Sequence, residues 1–152
     1  MKVLGFEFLR RRTIEAREAA QRLRALNVFP GASAEDLLAI AKAGRLISTP
    51  AGWSLMVEKT PADKSYVLLE GSASVQKDHR ELATIEPGEL VGELALLHHK
   101  LRSATVVATS PLHVLHFTRD AVEKLVDEVQ VFREAVERNA VAHSRRDSEQ
   151  IV

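Results

Sequence analysis

The spacing of apolar and polar residues divides the chain into a helical beginning, a middle of short strands and a helical end. Residues 7–26 contain good helix formers and neither Gly nor Pro, which predicts a helix. Its packed face recurs at three- and four-residue steps: Leu9, Thr13, Ala16, Ala20 and Leu23. A second helix is predicted between Ser33, a good N-cap, and Gly44, a residue that ends helices.

Between residues 45 and 117 the apolar residues come in short runs separated by turn residues. The predicted strands are Leu46–Thr49, Ser54–Val57, Tyr66–Leu69, Ala73–Gln76, Leu82–Ile85, Ala104–Ala108 and Leu112–Phe117. Turns rich in Gly and Pro separate them, as at Pro50-Ala51-Gly52 and Glu86-Pro87-Gly88. Seven or eight closely spaced strands predict a mainly β fold with flanking helices, an antiparallel roll of the jelly-roll kind.

The third part of the pattern begins at Thr118, a plausible N-cap. Residues 119–143 predict one long helix, or two that meet near Gln130. The polar tail, 144–152, is expected to fray. The predicted organisation is a basic N-terminal helix or linker at 1–26 and a domain at 27–143. In that domain a roll at 45–117 precedes the C-terminal helices.

Charge and composition narrow the classes of partner. Lys plus Arg and Asp plus Glu both number 21, so no overall field attracts a polyanion. Residues 1–26 carry seven basic and three acidic residues. Arg10-Arg11-Arg12 is interpreted as a solvated helix face in preference to a nucleic-acid or lipid contact, so no nucleic-acid partner is expected. Val3–Leu9 is too short for a membrane span or signal peptide, and without cysteine a cytoplasmic location is expected.

One stretch combines groups that suit a sugar phosphate. Gly92-Glu93-Leu94-Ala95 places a glycine and an acid before a short apolar helical turn, and Arg102-Ser103 follows nine positions after the acid. A carboxylate suits sugar hydroxyls, while an arginine and the free amides at a helix start suit a phosphate. The stretch therefore predicts a site for one small sugar phosphate.

This stretch resembles the phosphate-binding cassette of cyclic-nucleotide-binding domains. The matching residues are Gly92-Glu93-Leu94-Ala95-Leu96-Leu97 and Arg102-Ser103-Ala104-Thr105-Val106, with Pro87-Gly88 before them. The order of helix, strands, cassette, strands and terminal helices is also similar, over about residues 20–143. The resemblance implies a β-roll with a short cassette helix and C-terminal helices that act as a lid.

The resemblance also implies a role for each cassette residue. Glu93 is expected to accept a hydrogen bond from the ribose 2′-hydroxyl, supported by the Gly92 backbone. Arg102 is expected to pair with the exocyclic oxygens of the cyclic phosphate. Leu94-Ala95 is expected to offer backbone N–H groups to that phosphate, and Ser103 a hydroxyl or N–H contact. Three departures from the family pattern are Val91, Leu101 and the basic tip His98-His99-Lys100.

These expectations lead to a cyclic-nucleotide sensor without catalysis and without a cofactor. Its ligand is expected to be cAMP, with cGMP left open because the Ser103 hydroxyl could reach a guanine amino group. Ligand binding is expected to reposition residues 119–143. One alternative is the cytosolic regulatory domain of a channel or other membrane protein, and another is an adaptor that binds a protein partner through residues 1–26 or 119–143. A third is a degenerate roll in which Glu93 and Arg102 form an internal ion pair.

Metal and hydrolase chemistry find little support. The residues that suggest a metal are His98, His99, His113 and His116. The last two differ by an odd number of positions and so point to opposite faces of one strand. No His-x-His with a following Glu is present, and no Gly-x-Ser-x-Gly elbow indicates a hydrolase. No metal and no enzymatic activity are therefore expected.

Overall fold

Two antiparallel four-stranded sheets form the centre of the structure, a computed structural model that describes residues 2–145. The strands are β1 (Arg45–Thr49), β2 (Ser54–Met56), β3 (Lys64–Glu70), β4 (Ala73–Lys77), β5 (Arg80–Ile85), β6 (Leu90–Val91), β7 (Thr105–Ala108) and β8 (Leu112–Thr118). The helices are α1 (Lys2–Ala25), α2 (Ala34–Ala43), α3 (Glu93–Leu97), α4 (Arg119–Glu128) and α5 (Gln130–Arg145). One sheet has the order β1-β8-β3-β6 and the other β2-β7-β4-β5, which confirms the mainly β antiparallel prediction.

Local signals place the ends of α2 as the sequence predicts. The Asp36 N–H donates to Ser33 Oγ at 3.0 Å, and the Ser33 N–H donates to Asp36 Oδ2 at 3.0 Å, so the two side chains form a reciprocal cap. At the other end, the Gly44 N–H donates to the Ala41 carbonyl at 3.3 Å. Both predicted boundaries of this helix are confirmed.

The prediction for α1 was wrong in its start and in part of its packed face. The helix begins at Lys2 rather than residue 7, and Leu9 is 65% exposed. Ala16, Ala19 and Leu23 are buried. The reason is length: α1 extends about 36 Å, whereas the α2 helix it packs against extends only about 15 Å. These buried residues belong to the core that joins the helices to the roll. The division of the chain at residues 26 and 27 stays a prediction.

The seven predicted strands are present with shifts of one or two residues at their ends, and an eighth, β6, was not predicted separately. β6 has only two residues, and it pairs with β3 through Tyr66 opposite Val91. A two-residue strand is too short for an alternating pattern to reveal it. Its position matters because it leads directly into α3.

The C-terminal segment is two helices, as one of the two alternatives predicted. Val129 has an extended backbone (φ −120°, ψ 105°) and interrupts the helical run one residue before Gln130. Arg133 Nη1 donates to the Val126 carbonyl at 2.8 Å, which satisfies a carbonyl at the end of α4. The expected frayed tail lies outside the described residues except for Ser144 and Arg145, which belong to α5.

Apolar side chains form two cores, and the second one positions the C-terminal helices. The first core lies between the two sheets and contains Met56, Tyr66, Leu68, Val75, Val106 and Val114. The second joins the roll to the helices. In it, the Phe132 ring lies 5.5 Å from the Phe29 ring and 5.8 Å from the Phe117 ring. This packing holds α5 next to α3.

Candidate ligand-binding site

The site begins at Gly92, where β6 turns into α3. Gly92 is the N-cap of α3 and has φ 85°, a left-handed conformation that favours glycine. A Cβ added there would lie 2.7 Å from Met56 Cε and 2.9 Å from Arg102 Nη1. The backbone conformation therefore favours glycine, and any larger residue would displace the ends of the Met56 and Arg102 side chains.

Arg102 is held from both its backbone and its side chain. Its N–H donates to the Thr60 carbonyl at 2.8 Å, and its carbonyl accepts from the Lys59 N–H at 2.8 Å. The side chain is buried, with Nη1 donating to the Gly92 carbonyl at 2.9 Å and Nη2 donating to the Lys64 carbonyl. Burial lowers the pKa of the guanidinium, but an arginine remains charged in proteins.

A cavity of about 410 Å³ opens beside the cassette, within the size range of small-ligand sites. It brings together four of the six predicted site residues, namely Leu94, Ala95, Arg102 and Ser103. The other lining residues are Met56, His98, Lys100, Leu101, Ala104, Ala140 and His143. Two of the departures from the family pattern, the basic tip and Leu101, therefore contribute to the cavity wall. An arginine and a lysine beside small side chains suit a ligand that carries negative charge.

Glu93, like Gly92, is a predicted site residue that is not part of that cavity wall. Its side chain is 1% exposed, and its Oε2 accepts a hydrogen bond of 2.7 Å from Asn139 Nδ2 of α5. Burial raises the pKa of Glu93 from its usual value of 4.5 to about 7, although hydrogen bonds from Asn139 and from the Glu93 and Leu94 backbone partly oppose the shift. Within the described residues Glu93 and Arg102 form no ion pair.

Two residues that the sequence did not point to connect the cassette with the C-terminal helices. Asn139 donates to the Leu90 carbonyl at 3.1 Å as well as to Glu93. Arg119, the first residue of α4, donates to the Leu96 carbonyl of α3 and to the Ala62 carbonyl at 2.8 Å. Neither lies in a recognisable motif, and their partners are 23 or more positions away, so only the packing of the helices reveals these contacts.

The remaining sequence expectations concern metals and membranes. Among residues 2–145, no group of three or more His, Asp or Glu side chains is arranged to hold a metal ion. None of the helices in this part of the chain is long and apolar enough to cross a membrane.

A family model identifies the fold. The model for the cyclic nucleotide-binding domain matches residues 46–129, more than half of the chain. The chain belongs to the cyclic nucleotide-binding domain family. The resemblance seen in the cassette is thereby confirmed, and so is the prediction of a cyclic-nucleotide-binding module.

One relative of the chain is a kinase regulatory subunit. The cAMP-dependent protein kinase regulatory subunit of Aspergillus niger is 33% identical over 126 residues, which cover 81% of this chain. The chain spans only 29% of the length of that subunit.

Solved structures of cyclic nucleotide-binding domains share the fold. PKAR CBD2 with bound Sp-2Cl-cAMPS has a TM-score of 0.76 at 22% identity, covering 88% of this chain and 90% of that one. The regulatory subunit of a cAMP-independent protein kinase A from Trypanosoma brucei has a TM-score of 0.73 at 21% identity, covering 84% of this chain and 47% of that one. At these identities the likeness shows the fold alone.

Proposed function

We propose that this domain binds a cyclic mononucleotide, with cAMP as the first candidate, in the cavity beside α3. The observation that carries the proposal is the joint presence of Leu94, Ala95, Arg102 and Ser103 in one cavity wall. A regulatory subunit of a cAMP-dependent kinase is among the relatives, and a cAMP analogue is bound in one structure of the same fold. The proposed role is that of a regulatory domain that responds to its ligand and has no catalytic activity of its own.

Arg102 is the proposed phosphate contact. A guanidinium has five N–H donors, and the Gly92 and Lys64 carbonyls engage two nitrogens of Arg102 without using all of them. The side chain lines the cavity while it remains mostly buried, so a phosphate oxygen there would meet a charge that water screens weakly. The backbone N–H groups of Leu94 and Ala95, and Ser103, are proposed to complete the phosphate subsite.

The ribose is proposed to contact Glu93, which lies behind the cavity wall, and the base is proposed to contact α5. Glu93 is the proposed acceptor for the ribose 2′-hydroxyl, with Gly92 supporting it as the turn before α3. Ala140 and His143 of α5 line the same cavity and are placed to cover the base. cGMP is the second candidate ligand, so both nucleotides are tested.

Residues 119–143 are proposed to transmit the binding event to a protein partner. Arg119 and Asn139 connect these helices to α3, so a ligand that moves α3 also changes the packing of α4 and α5. Residues 1–26 are the other proposed partner surface. A place in a larger protein, such as a kinase regulator or the cytosolic domain of a channel, remains compatible with a chain that spans 29% of the Aspergillus relative.

Calorimetric titration with cAMP and cGMP tests the proposal, together with the variants Arg102→Ala and Arg102→Lys. We expect Arg102→Ala to weaken binding by at least ~2 kcal/mol, roughly 30-fold, because a charge-assisted contact is lost. Arg102→Lys should recover only part of the affinity, since an ammonium cannot form the planar fork.

Arg80→Ala, an exposed arginine of β5, is the matched control and should bind like wild type. Thermal unfolding of each variant separates lost binding from lost folding. Absence of heat with both nucleotides at millimolar concentration contradicts the proposal.

A further inference from the structure

Asn139 lies where α5 meets the segment that leads into the cassette helix. Its side-chain Nδ2 donates both to Glu93 Oε2 at 2.7 Å and to the Leu90 carbonyl at 3.1 Å. One amide group therefore joins α5 to two consecutive elements, β6 and α3. A hydrogen bond to an ionised group stabilises more than one to a neutral group, so above about pH 7 the bond to Glu93 is the stronger of the two.

This contact engages one oxygen of the carboxylate that the proposed function assigns to the ribose. Glu93 is 1% exposed and is absent from the cavity wall, whereas Arg102 and Ser103 lie in it. A phosphate can thus approach Arg102 with α5 in its present position. A sugar hydroxyl reaches Glu93 only if the contact with Asn139 opens or is shared.

The same face of α5 also borders the ligand cavity. Ala140 follows Asn139 directly, and His143 lies one helical turn beyond it, and both line the cavity. Movement of Asn139 away from Glu93 therefore also moves the proposed cover of the base. The sugar subsite and the position of α5 are linked through one hydrogen bond.

We propose that Asn139 is a latch that competes with the ligand's 2′-hydroxyl for the Glu93 carboxylate. The proposal rests on the proposed function, because it assigns the ribose to Glu93. A cyclic ribonucleotide is then expected to replace Asn139 at Glu93 and to weaken the packing of α5. A nucleotide without the 2′-hydroxyl is expected to bind the phosphate subsite and to leave the Asn139–Glu93 hydrogen bond intact. A ligand can shift the position of α5 only through such a difference in affinity between the two positions.

Titration with cAMP and 2′-deoxy-cAMP, in wild type and Asn139→Ala, tests the competition. We expect Asn139→Ala to bind cAMP about fivefold more tightly, the size of one hydrogen bond, and to leave the affinity for 2′-deoxy-cAMP within about twofold. The preference of the Asn139→Ala variant for cAMP over 2′-deoxy-cAMP is therefore expected to be greater than that of wild type. Arg138→Ala, a truncation at the neighbouring exposed position, should leave both affinities unchanged. If Asn139→Ala changes both affinities by the same factor, Asn139 only packs α5 and the proposal is overturned.

Hydrogen exchange of the protein without nucleotide tests the latch independently of ligand identity. Amides of α5 should exchange at least about fivefold faster in Asn139→Ala than in wild type, while Arg138→Ala matches wild type. If neither nucleotide binds, the proposed function and the competition both fail, and faster exchange then shows only that Asn139 holds α5 against Glu93. Equal exchange in all three proteins overturns the latch, whether or not a nucleotide binds.

Discussion

Glu93 and Arg102 are buried near each other, and yet each is held by different partners. Arg102 donates to the backbone carbonyls of Gly92 and Lys64, while Glu93 accepts from Asn139. Burying a charge is costly unless hydrogen bonds compensate for the lost water. The alternative of an internal ion pair is wrong for this structure, because each charge is satisfied separately within the described residues. Separate satisfaction leaves each group able to exchange its present partner for a ligand.

The raised pKa of Glu93 predicts how stability changes with pH. In the folded protein Glu93 keeps its proton up to about pH 7, whereas in the unfolded chain it loses it near 4.5. Burying the ionised side chain lowers the free energy of unfolding. This loss is therefore absent below pH 4.5, the pKa of Glu93 in the unfolded chain, and complete above about pH 7, its pKa in the folded protein. Relative to Glu93→Gln, wild type should lose about 3 kcal/mol of unfolding free energy as the pH rises through this window.

Urea unfolding at several pH values between 4.5 and 8 measures this difference for wild type and Glu93→Gln. Glu81→Gln, at an exposed position of β5, is the control and should follow the wild-type pH dependence. Parallel curves for wild type and Glu93→Gln would show that Glu93 titrates in the folded protein as it does in the unfolded chain.

At the scale of elements, the short helix α3 depends on the residue before it. α3 has only five residues, and Gly92 starts it with a left-handed backbone. A helix this short gains little from its own hydrogen bonds, so the tertiary contacts of Leu96, Arg119 and Arg102 hold it in place. The conformation of the cassette therefore depends on the surrounding packing as much as on its own sequence.

Replacing Gly92 by alanine separates backbone strain from the contact with Arg102. Gly52 has nearly the same φ, 88° against 85°, but a Cβ there would meet nothing within 4 Å. Gly52→Ala and Gly92→Ala should both lose about 1–2 kcal/mol of stability from the left-handed backbone. Only Gly92→Ala should also weaken cAMP binding, by about tenfold, because its Cβ displaces the guanidinium that we propose binds the phosphate.

Chemical unfolding and calorimetric titration of the two alanine variants provide both measurements. Equal nucleotide affinities for Gly52→Ala and Gly92→Ala would indicate that Arg102 does not contact the ligand from its present position.

At the scale of the whole molecule, one aromatic cluster joins the N-terminal helices and α5 to the roll. Phe132 of α5 is fully buried between Phe29, which follows α1, and Phe117 of β8. Its position determines how α5 lies over α3, and therefore whether Asn139 reaches Glu93. The C-terminal helices are thus part of the same core as the roll that they cover.

Truncation of this cluster should destabilise the domain strongly. Phe132→Ala is expected to cost about 3–5 kcal/mol, because it removes a fully buried ring and leaves a cavity. Val141→Ala, on the same helix but 50% exposed, should change stability by less than about 0.5 kcal/mol. Guanidinium unfolding followed by circular dichroism measures both. Similar losses for the two variants would mean that α5 is not anchored through Phe132.

Signals carried by neighbouring residues were enough to predict most elements. Ser33 and Asp36, three residues apart, cap α2 through hydrogen bonds to each other. Thr118 caps α4 over the same spacing, because its Oγ1 accepts from the Ala121 N–H at 3.3 Å. Alternation and turn residues located seven strands of the roll. The cassette motif led to the family because its chemistry lies within a few consecutive residues. Neither β6 nor the start of α1 was predicted, since a short strand and an overhanging helix leave no periodic pattern.

The sequence by itself determined the order of the elements, because caps, turns and alternation act between near neighbours along the chain. The roll and the six predicted cassette residues followed from the strand pattern together with the family resemblance. Only the tertiary structure decided that Leu94, Ala95, Arg102 and Ser103 line one cavity while Glu93 faces α5. It also decided that Asn139, 46 positions from Glu93, is its partner. The physical reason is that these contacts depend on how α5 docks on the roll, and docking is the outcome of a whole buried core rather than of any local pattern.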